Sequence, residues 1–394
     1  MIKWPGLILL AVATIAPAQE AARPQPMPFK NSFSYEKAES WIPFERKNGL
    51  IFIQVLLDGK PARALIDTGL TGVFLSKDYA TAHGMHLTAA GMTSSIGGAV
   101  PTDATAAPTL QVGGLSTTGG EMKVVDLSNL SRIANTSIDV GIGMSVIRGL
   151  VLQVDFDASR LRLLSPGSRP LNGINVPVTL ADDRVFAPLF LEGGIPVRAM
   201  IDLGQEGQLI LAGKTAHRLS GKTPQTDLAS VGAGGTEIHQ LLSIDRLSLN
   251  AVPFRDVLGE IEQPGQFLDN KNIDAAIGIG LLSRYNFALD IRGASTLTLS
   301  PRATTDPPAP KSTIGVQVNY LPDRIAILHI MTNSPAAAVG LKAGDAICAL
   351  DGIPITADFR NGPQGKWSIG APGQAHKLSL CDGRTISLTT RAFY

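Results

Sequence analysis

Aromatic residues are scarce in this chain, at 5%, and charged residues reach only 17%, with Lys+Arg 34 set against Asp+Glu 33. The resulting net charge of +1 leaves no large positive footprint of the kind nucleic-acid binding needs. Two cysteines are too few for a disulfide framework or a Cys-based zinc module. The six histidines are scattered. His83 and His86 are the close pair, no H-E-x-x-H pattern occurs, and a surface helix end accounts for the pair better than zinc does. After the N-terminus, no apolar run reaches membrane-spanning length. What is plentiful is Gly (41) and Pro (26), with hydrophobic residues at 44%. That mixture favours short strands and tight turns around a sizeable core. A length of 394 residues suggests two or three domains.

Lys3, the short apolar run Leu7 to Ile15 and the triplet Ala16-Pro17-Ala18 read as a signal peptide over residues 1–18. An uncleaved anchor is the alternative. The expectation is an exported protein, periplasmic or extracellular, with no stable membrane span after cleavage. Residues 19–45, with several prolines and mixed charges, read as an arm with little fold of its own.

The middle of the chain is an internal duplication. LLDGKPARALIDTGLTG at 56–72 and LEGGIPVRAMIDLGQEG at 191–207 share nine identities in 17 positions, at a constant offset of 135 residues. The same offset carries Ser95 onto Ser230, Gly97 onto Gly232, Asp139 onto Asp274, Gly143 onto Gly278, Asp155 onto Asp290 and Ser165-Pro166 onto Ser300-Pro301. Chance does not hold one register over a hundred residues. Residues 46–166 and 181–301 are therefore two copies of one unit, expected to pack about a pseudo-twofold axis. Within copy one, Leu50 to Leu57 and Ala62 to Ile66 read as strands joined by an Asp58-Gly59 turn. Ser76 reads as the cap of a short helix reaching about His83. Met92 to Val100 reads as a hairpin with Gly97-Gly98 at its tip, Ile138 to Gly143 as a strand, and Leu150 to Leu164 as two strands around Asp157-Ala158-Ser159. Asp139, Asp274, Asp155 and Asp290 read as strand-end or turn residues. Ser145 lacks the second glycine of a nucleophile elbow and reads as a core-loop serine.

A strand ending in Asp67-Thr68-Gly69, repeated as Asp202-Leu203-Gly204, carries chemistry. Two such loops meeting at a twofold axis bring two carboxylates within a few ångströms. Like charges that close share one proton over an intermediate pH range. One member then serves as general base toward water while the protonated one polarises a carbonyl. The alternative is that both aspartates merely cap turns.

At these residues the sequence resembles the aspartic proteases of the retropepsin-like and pepsin-like group, over roughly residues 46–301. The resemblance implies a mainly β, bilobal acid-protease barrel, with one lobe at 46–170 and the other at 171–301. It implies endopeptidase activity on extended peptides, a catalytic pair Asp67 and Asp202, supporting loop residues Thr68, Gly69, Leu203 and Gly204, and no metal or cofactor. It also implies flap residues Ile96, Gly97, Gly98, Gly232, Gly234 and Gly235. One departure stands out: the family usually has Thr or Ser after each aspartate, and Leu203 has no hydroxyl. A non-catalytic peptide- or protein-binding scaffold with a degenerate cleft is the second reading. A chain that already carries both lobes is expected to work as a monomer on peptide or protein substrates.

Residues 302–312 read as a Pro-rich, exposed linker. Beyond it, the run from Asn333-Ser334-Pro335 through Gly340-Leu341 to Gly344-Asp345-Ala346-Ile347 resembles a PDZ domain in its circularly permuted form, an α+β module over 313–394. That resemblance implies binding of a chain end or peptide as an added strand, with Ile314, Gly315 and Val316 as the carboxylate loop and a short groove helix near 356–366. The other reading is a module that packs on the body without a ligand. Cys348 and Cys381 fall in strands of this module, where they could bridge or serve as small buried apolar residues.

Overall fold

The computed structural model describes residues 28–34, 39–219, 221–292, 295–304, 306 and 310–394. The signal segment and residues 19–27 lie outside the described residues. The architecture is mainly β, in four sheets of 11, six, eight and six strands. Among the described residues no helix is long and apolar enough to cross a membrane.

The duplication is written into strand order. In the first sheet, Leu50–Leu57, Lys60–Ile66, Val140–Ile142, Val73–Ser76, Glu121–Val125, Gly98–Ala106 and Thr88–Ser95 lie side by side in that sequence. In the second sheet, Arg184–Leu191, Ile195–Asp202, Ala275–Gly278, Leu209–Leu211, Val252–Ile261, Gly235–Leu249 and Thr226–Gly232 repeat it. Strand sense repeats as well. Val140–Ile142 runs parallel to Lys60–Ile66 and antiparallel to Val73–Ser76, and Ala275–Gly278 does the same with its counterparts.

A third sheet joins the halves, with Val151–Asp155 pairing antiparallel to Tyr285–Asp290. In that register Gln153 lies opposite Ala288, its own equivalent at the 135-residue offset. A residue paired with its own copy marks where the pseudo-twofold axis passes. One hydrophobic cluster, with Ile51, Leu152, Leu203 and Leu289 all buried, runs through both halves.

Local sequence explains the elements. Leu50–Leu57 buries alternating and flanking aliphatics, and Asp58 (φ 48°) with Gly59 (φ 75°) turns it back through a two-residue loop that needs positive φ at both positions. The helix Lys77–Ala82 forms after Ser76 as expected, but the Ser76 side chain makes no capping bond. Ser145 sits in the short helix Met144–Ile147 rather than in a loop. Asp155 is a turn residue: Oδ1 accepts from the Ala158 N–H at 3.0 Å and Oδ2 from Arg160 Nε at 3.0 Å. Asp139 Oδ2 accepts from the Arg63 N–H at 2.7 Å.

Two stretches are more ordered than the sequence suggests. The arm contributes strand Lys30–Phe33, paired with Leu115–Thr118, and strand Ile42–Pro43, paired with Arg160–Leu164. Phe29, Phe33, Ile42 and Phe44 pack on the main core, and their burial outweighs the proline-rich composition. In the linker, Arg302 is held rather than exposed, its side chain only 4% accessible. It donates to Asp157, which also accepts from Asn286 and the Ala303 N–H.

The C-terminal module has its own core, including Ile314, Phe359, Trp367 and Leu378. Near 356–366, where the sequence suggested a short groove helix, it has instead two 3-10 segments, Phe359–Asn361 and Pro363–Ile369. Ser334 caps the helix Pro335–Ala338 by accepting from the Ala337 N–H, with Pro in the first turn. Cys348 and Cys381 form a disulfide across 33 residues. The double substitution Cys348→Ser with Cys381→Ser is expected to lower this module's stability by about 3–4 kcal/mol, the loop-closure value for that span, read by urea unfolding. The module packs on the second sheet's outer strand. The Gln317 side chain bonds the Ala229 backbone twice, at 2.5 and 2.9 Å, and Asp227 Oδ1 meets the Thr332 N–H and His329 Nε2 at 2.8 and 3.0 Å.

Candidate active site

Asp67 follows strand Lys60–Ile66, and Asp202 ends strand Ile195–Asp202. Each carboxylate Oδ1 accepts the N–H two residues on, Gly69 or Gly204, at 2.9 Å. Both carboxyls line one cleft between the halves, each lies against the other loop's glycine, and each bears on the other's protonation. Glycine is required beside them. A Cβ on Gly69 would lie 2.6 Å from the Asp202 carboxyl, and one on Gly204 would collide with Asp67. Burial, then the charge of Asp202, pushes the Asp67 carboxyl well above its ordinary value. Burial raises Asp202 as well, while the Gly204 N–H and the nearby Arg184 favour its charged form. In strand register Arg184 occupies the position of Leu50 in the first half, so the pair is not electrically symmetric.

The loops are tied together from one side. Thr68 is fully buried; its Oγ1 donates to the Ile201 carbonyl at 2.8 Å and accepts from the Leu203 N–H at 3.0 Å. Leu203, equally buried, packs its side chain in the shared core and offers no reciprocal hydroxyl.

The expected hairpin tips meet above the aspartates. The Gly234 N–H donates to the Ile96 carbonyl at 3.1 Å, and the Ala233 N–H donates to Ser95 Oγ at 3.1 Å. Gly97, Gly98, Gly232, Gly234 and Gly235 pass so closely that a Cβ on Gly97 would strike the Gly235 backbone, and one on Gly232 the Ile96 carbonyl. Gly97 also has φ +83°, in the left-handed region. The cleft beneath encloses about 1780 Å³ and is lined by Asp67, Asp202, Ile96, Ala233, Arg184 and Phe74 among others. Gly97→Ala is expected to keep the two tips from interleaving and to lower kcat/KM about tenfold, chiefly through KM, in a peptide-cleavage assay.

The expected carboxylate loop of the C-terminal module lies apart from this cleft floor and is already partnered. The Gly315 N–H donates to Ser312 Oγ at 2.8 Å, the Gly315 carbonyl accepts from Met331, the Ile314 side chain is fully buried, and Val316 is 7% exposed.

One polar group escaped the sequence reading. Glu237 and His239 alternate along Gly235–Leu249, and Glu260 and Glu262 along and just beyond Val252–Ile261, all turned to the same interior. His239 Nδ1 lies 2.9 Å from Glu260 Oε2, and Gln205 of the second aspartate loop donates to Glu260 Oε1 at 3.3 Å. Burial works against a charged His239, yet the surrounding carboxylates, Glu260 with Glu237 and Glu262, together outweigh it and raise the imidazole above its ordinary value; burial pushes Glu262 up to about 7. The signal available in sequence was a pair of i, i+2 patterns, E-x-H and E-x-E, on neighbouring strands.

Comparison with known protein families gives one match. The family model described as aspartyl protease matches residues 53–146, a stretch that includes Asp67-Thr68-Gly69 and the first hairpin. Among solved structures, the chain is similar to a retropepsin-like aspartic protease from Rickettsia conorii, at 15% identity over 32% of this chain and 87% of that one, with a TM-score of 0.23. No curated protein matches the chain. The family match, over the first copy of the repeat, supports an aspartyl protease.

Proposed function

We propose that the chain is an exported aspartic endopeptidase whose two lobes, 46–170 and 171–301, each supply one catalytic aspartate. The observation that carries this reading is the facing pair Asp67 and Asp202, each held by the glycine N–H two residues on. An extended peptide lies in the cleft under the crossed hairpins. The charged aspartate takes a proton from a bound water, which attacks the scissile carbonyl, while its protonated partner donates to the carbonyl oxygen. The tetrahedral intermediate then collapses with proton transfer to the leaving nitrogen. No covalent enzyme intermediate forms. Both aspartates come from one chain, so a monomer suffices.

Export rests on the pattern of residues 1–18 and is supported by the Cys348–Cys381 bridge, a bond that persists in oxidising compartments. The PDZ-like module at 313–394 serves substrate or partner binding. A chain end entering at Ile314, Gly315 and Val316 would have to displace Ser312 Oγ from the Gly315 N–H.

Leu203 favours the second reading, a peptide-binding cleft without turnover. The deciding experiment incubates the purified chain with an unfolded polypeptide across mildly acidic pH in the presence of a serine-protease inhibitor, and maps new termini by mass spectrometry. Discrete internal cleavage supports the endopeptidase; binding without any new termini supports the scaffold.

A further inference from the structure

The second hairpin carries a polar cluster that the hydrolytic reaction does not use. His239 is fully buried, and Glu262 is buried to 1% exposure. The imidazole is oriented from one side: Nδ1 meets Glu260 Oε2 at 2.9 Å, which leaves Nε2 pointing at Glu237 Oε2, 3.4 Å away. Glu262 gives Oε2 to the Leu268 N–H at 2.8 Å, while its Oε1 is buried without any hydrogen-bond partner. One donor atom each from Glu237, His239 and Glu262 falls within 4.8 Å of the others. Among the described residues no Lys or Arg bonds any of the four.

We propose that Glu237, His239 and Glu262 form a binding site for a divalent transition-metal ion of the zinc type, with Glu260 as the outer partner that orients the imidazole. Three features carry this. A buried carboxylate oxygen without a partner costs free energy that a cation would recover. Tetrahedral ligands about 2.1 Å from zinc lie about 3.4 Å apart, the separation already present between His239 Nε2 and Glu237 Oε2. A ligating histidine characteristically gives its other ring N–H to a carboxylate, here Glu260. A His plus two carboxylates suits zinc, cobalt or manganese, with water completing the shell.

The site is placed to matter for the cleft. Glu237 Oε1 accepts the Gly97 N–H at 3.1 Å, at the tip of the opposite hairpin. An ion that fixes the Glu237 carboxylate therefore fixes the crossing of the two tips.

The test is metal binding by the whole chain after chelator stripping, with zinc and cobalt(II) as probes. Calorimetry is expected to give one ion per chain with Kd about 1 μM or tighter, and cobalt should develop the strong visible bands of a four-coordinate site. Glu262→Gln and His239→Gln should abolish that site. Glu260→Gln should weaken it about 10–100-fold, as loss of an outer partner does. His83→Gln, remote from the cluster, should leave it intact. Absence of stoichiometric binding by the folded wild-type chain overturns the proposal, as does binding that survives Glu262→Gln unchanged. The readout does not depend on peptide cleavage, so this proposal and the protease reading stand or fall separately.

Discussion

Asp67→Asn should remove peptide hydrolysis, lowering kcat/KM by about 10²–10⁴-fold or more, the range for loss of a general acid–base group. The same change should make the protein more stable at neutral pH. The reason is linkage. Burial and the charge of Asp202 raise the folded-state value of Asp67 above its unfolded one. An acid raised in this way binds its proton more tightly in the folded state, so folding stability falls as pH rises past the ordinary carboxylate value, and the loss is complete above the raised value. Asparagine carries no such cost. The variant should therefore melt above the wild type at pH 7 and coincide with it near pH 3, where both carboxyls are protonated in either state. Unchanged cleavage by the variant would sink the two-aspartate mechanism. Equal melting at pH 7 would mean that the pair is not under electrostatic strain.

Thr68→Val should be a strongly damaging isosteric change. Its hydroxyl serves the Ile201 carbonyl and the Leu203 N–H at once, in a fully buried position. Valine fills the space but leaves both backbone groups without a partner, at about 1–3 kcal/mol each. The loss should show in denaturant unfolding, and activity should fall further still, because the two aspartate loops lose their common brace. Thr68→Ser keeps the hydroxyl and should stay within about 1 kcal/mol of wild type. With threonine on both loops, one hydroxyl would remain after either substitution; with Leu203 opposite, none does. Adding Leu203→Thr to Thr68→Val should restore part of the lost activity by rebuilding the bridge from the other side. If valine and serine at position 68 behave alike, the brace carries no weight.

Much of the site could be read from the sequence, because glycine and aspartate there answer to backbone demands that no other residue meets. The 135-residue offset foretold matching strand orders, and the glycines at 97, 98, 232, 234 and 235 were legible as flap residues, though not that the two tips would cross. What stayed hidden depends on register between distant segments. Glu237 and His239 read as ordinary polar residues of a strand until Leu241 is seen opposite Glu260, which sets His239 against Glu262. The arm strand Lys30–Phe33 finds its partner more than 80 residues later, at Leu115–Thr118. Composition alone suggested coil there. Whether Cys348 and Cys381 met could not follow from spacing, since the bridge joins strands through the module's own topology.

The roof over the aspartates is hung unevenly. The C-terminal module grips the outer edge of Thr226–Gly232 through Gln317, His329 and Thr332. Thr88–Ser95, by contrast, ends its sheet with mostly exposed residues. One door leaf is bolted to a third wall, while its twin is held at its tip by the first leaf and by Lys271 on Ser94. Opening of the crossed tips is therefore expected to begin with residues 88–106, the side the module does not hold.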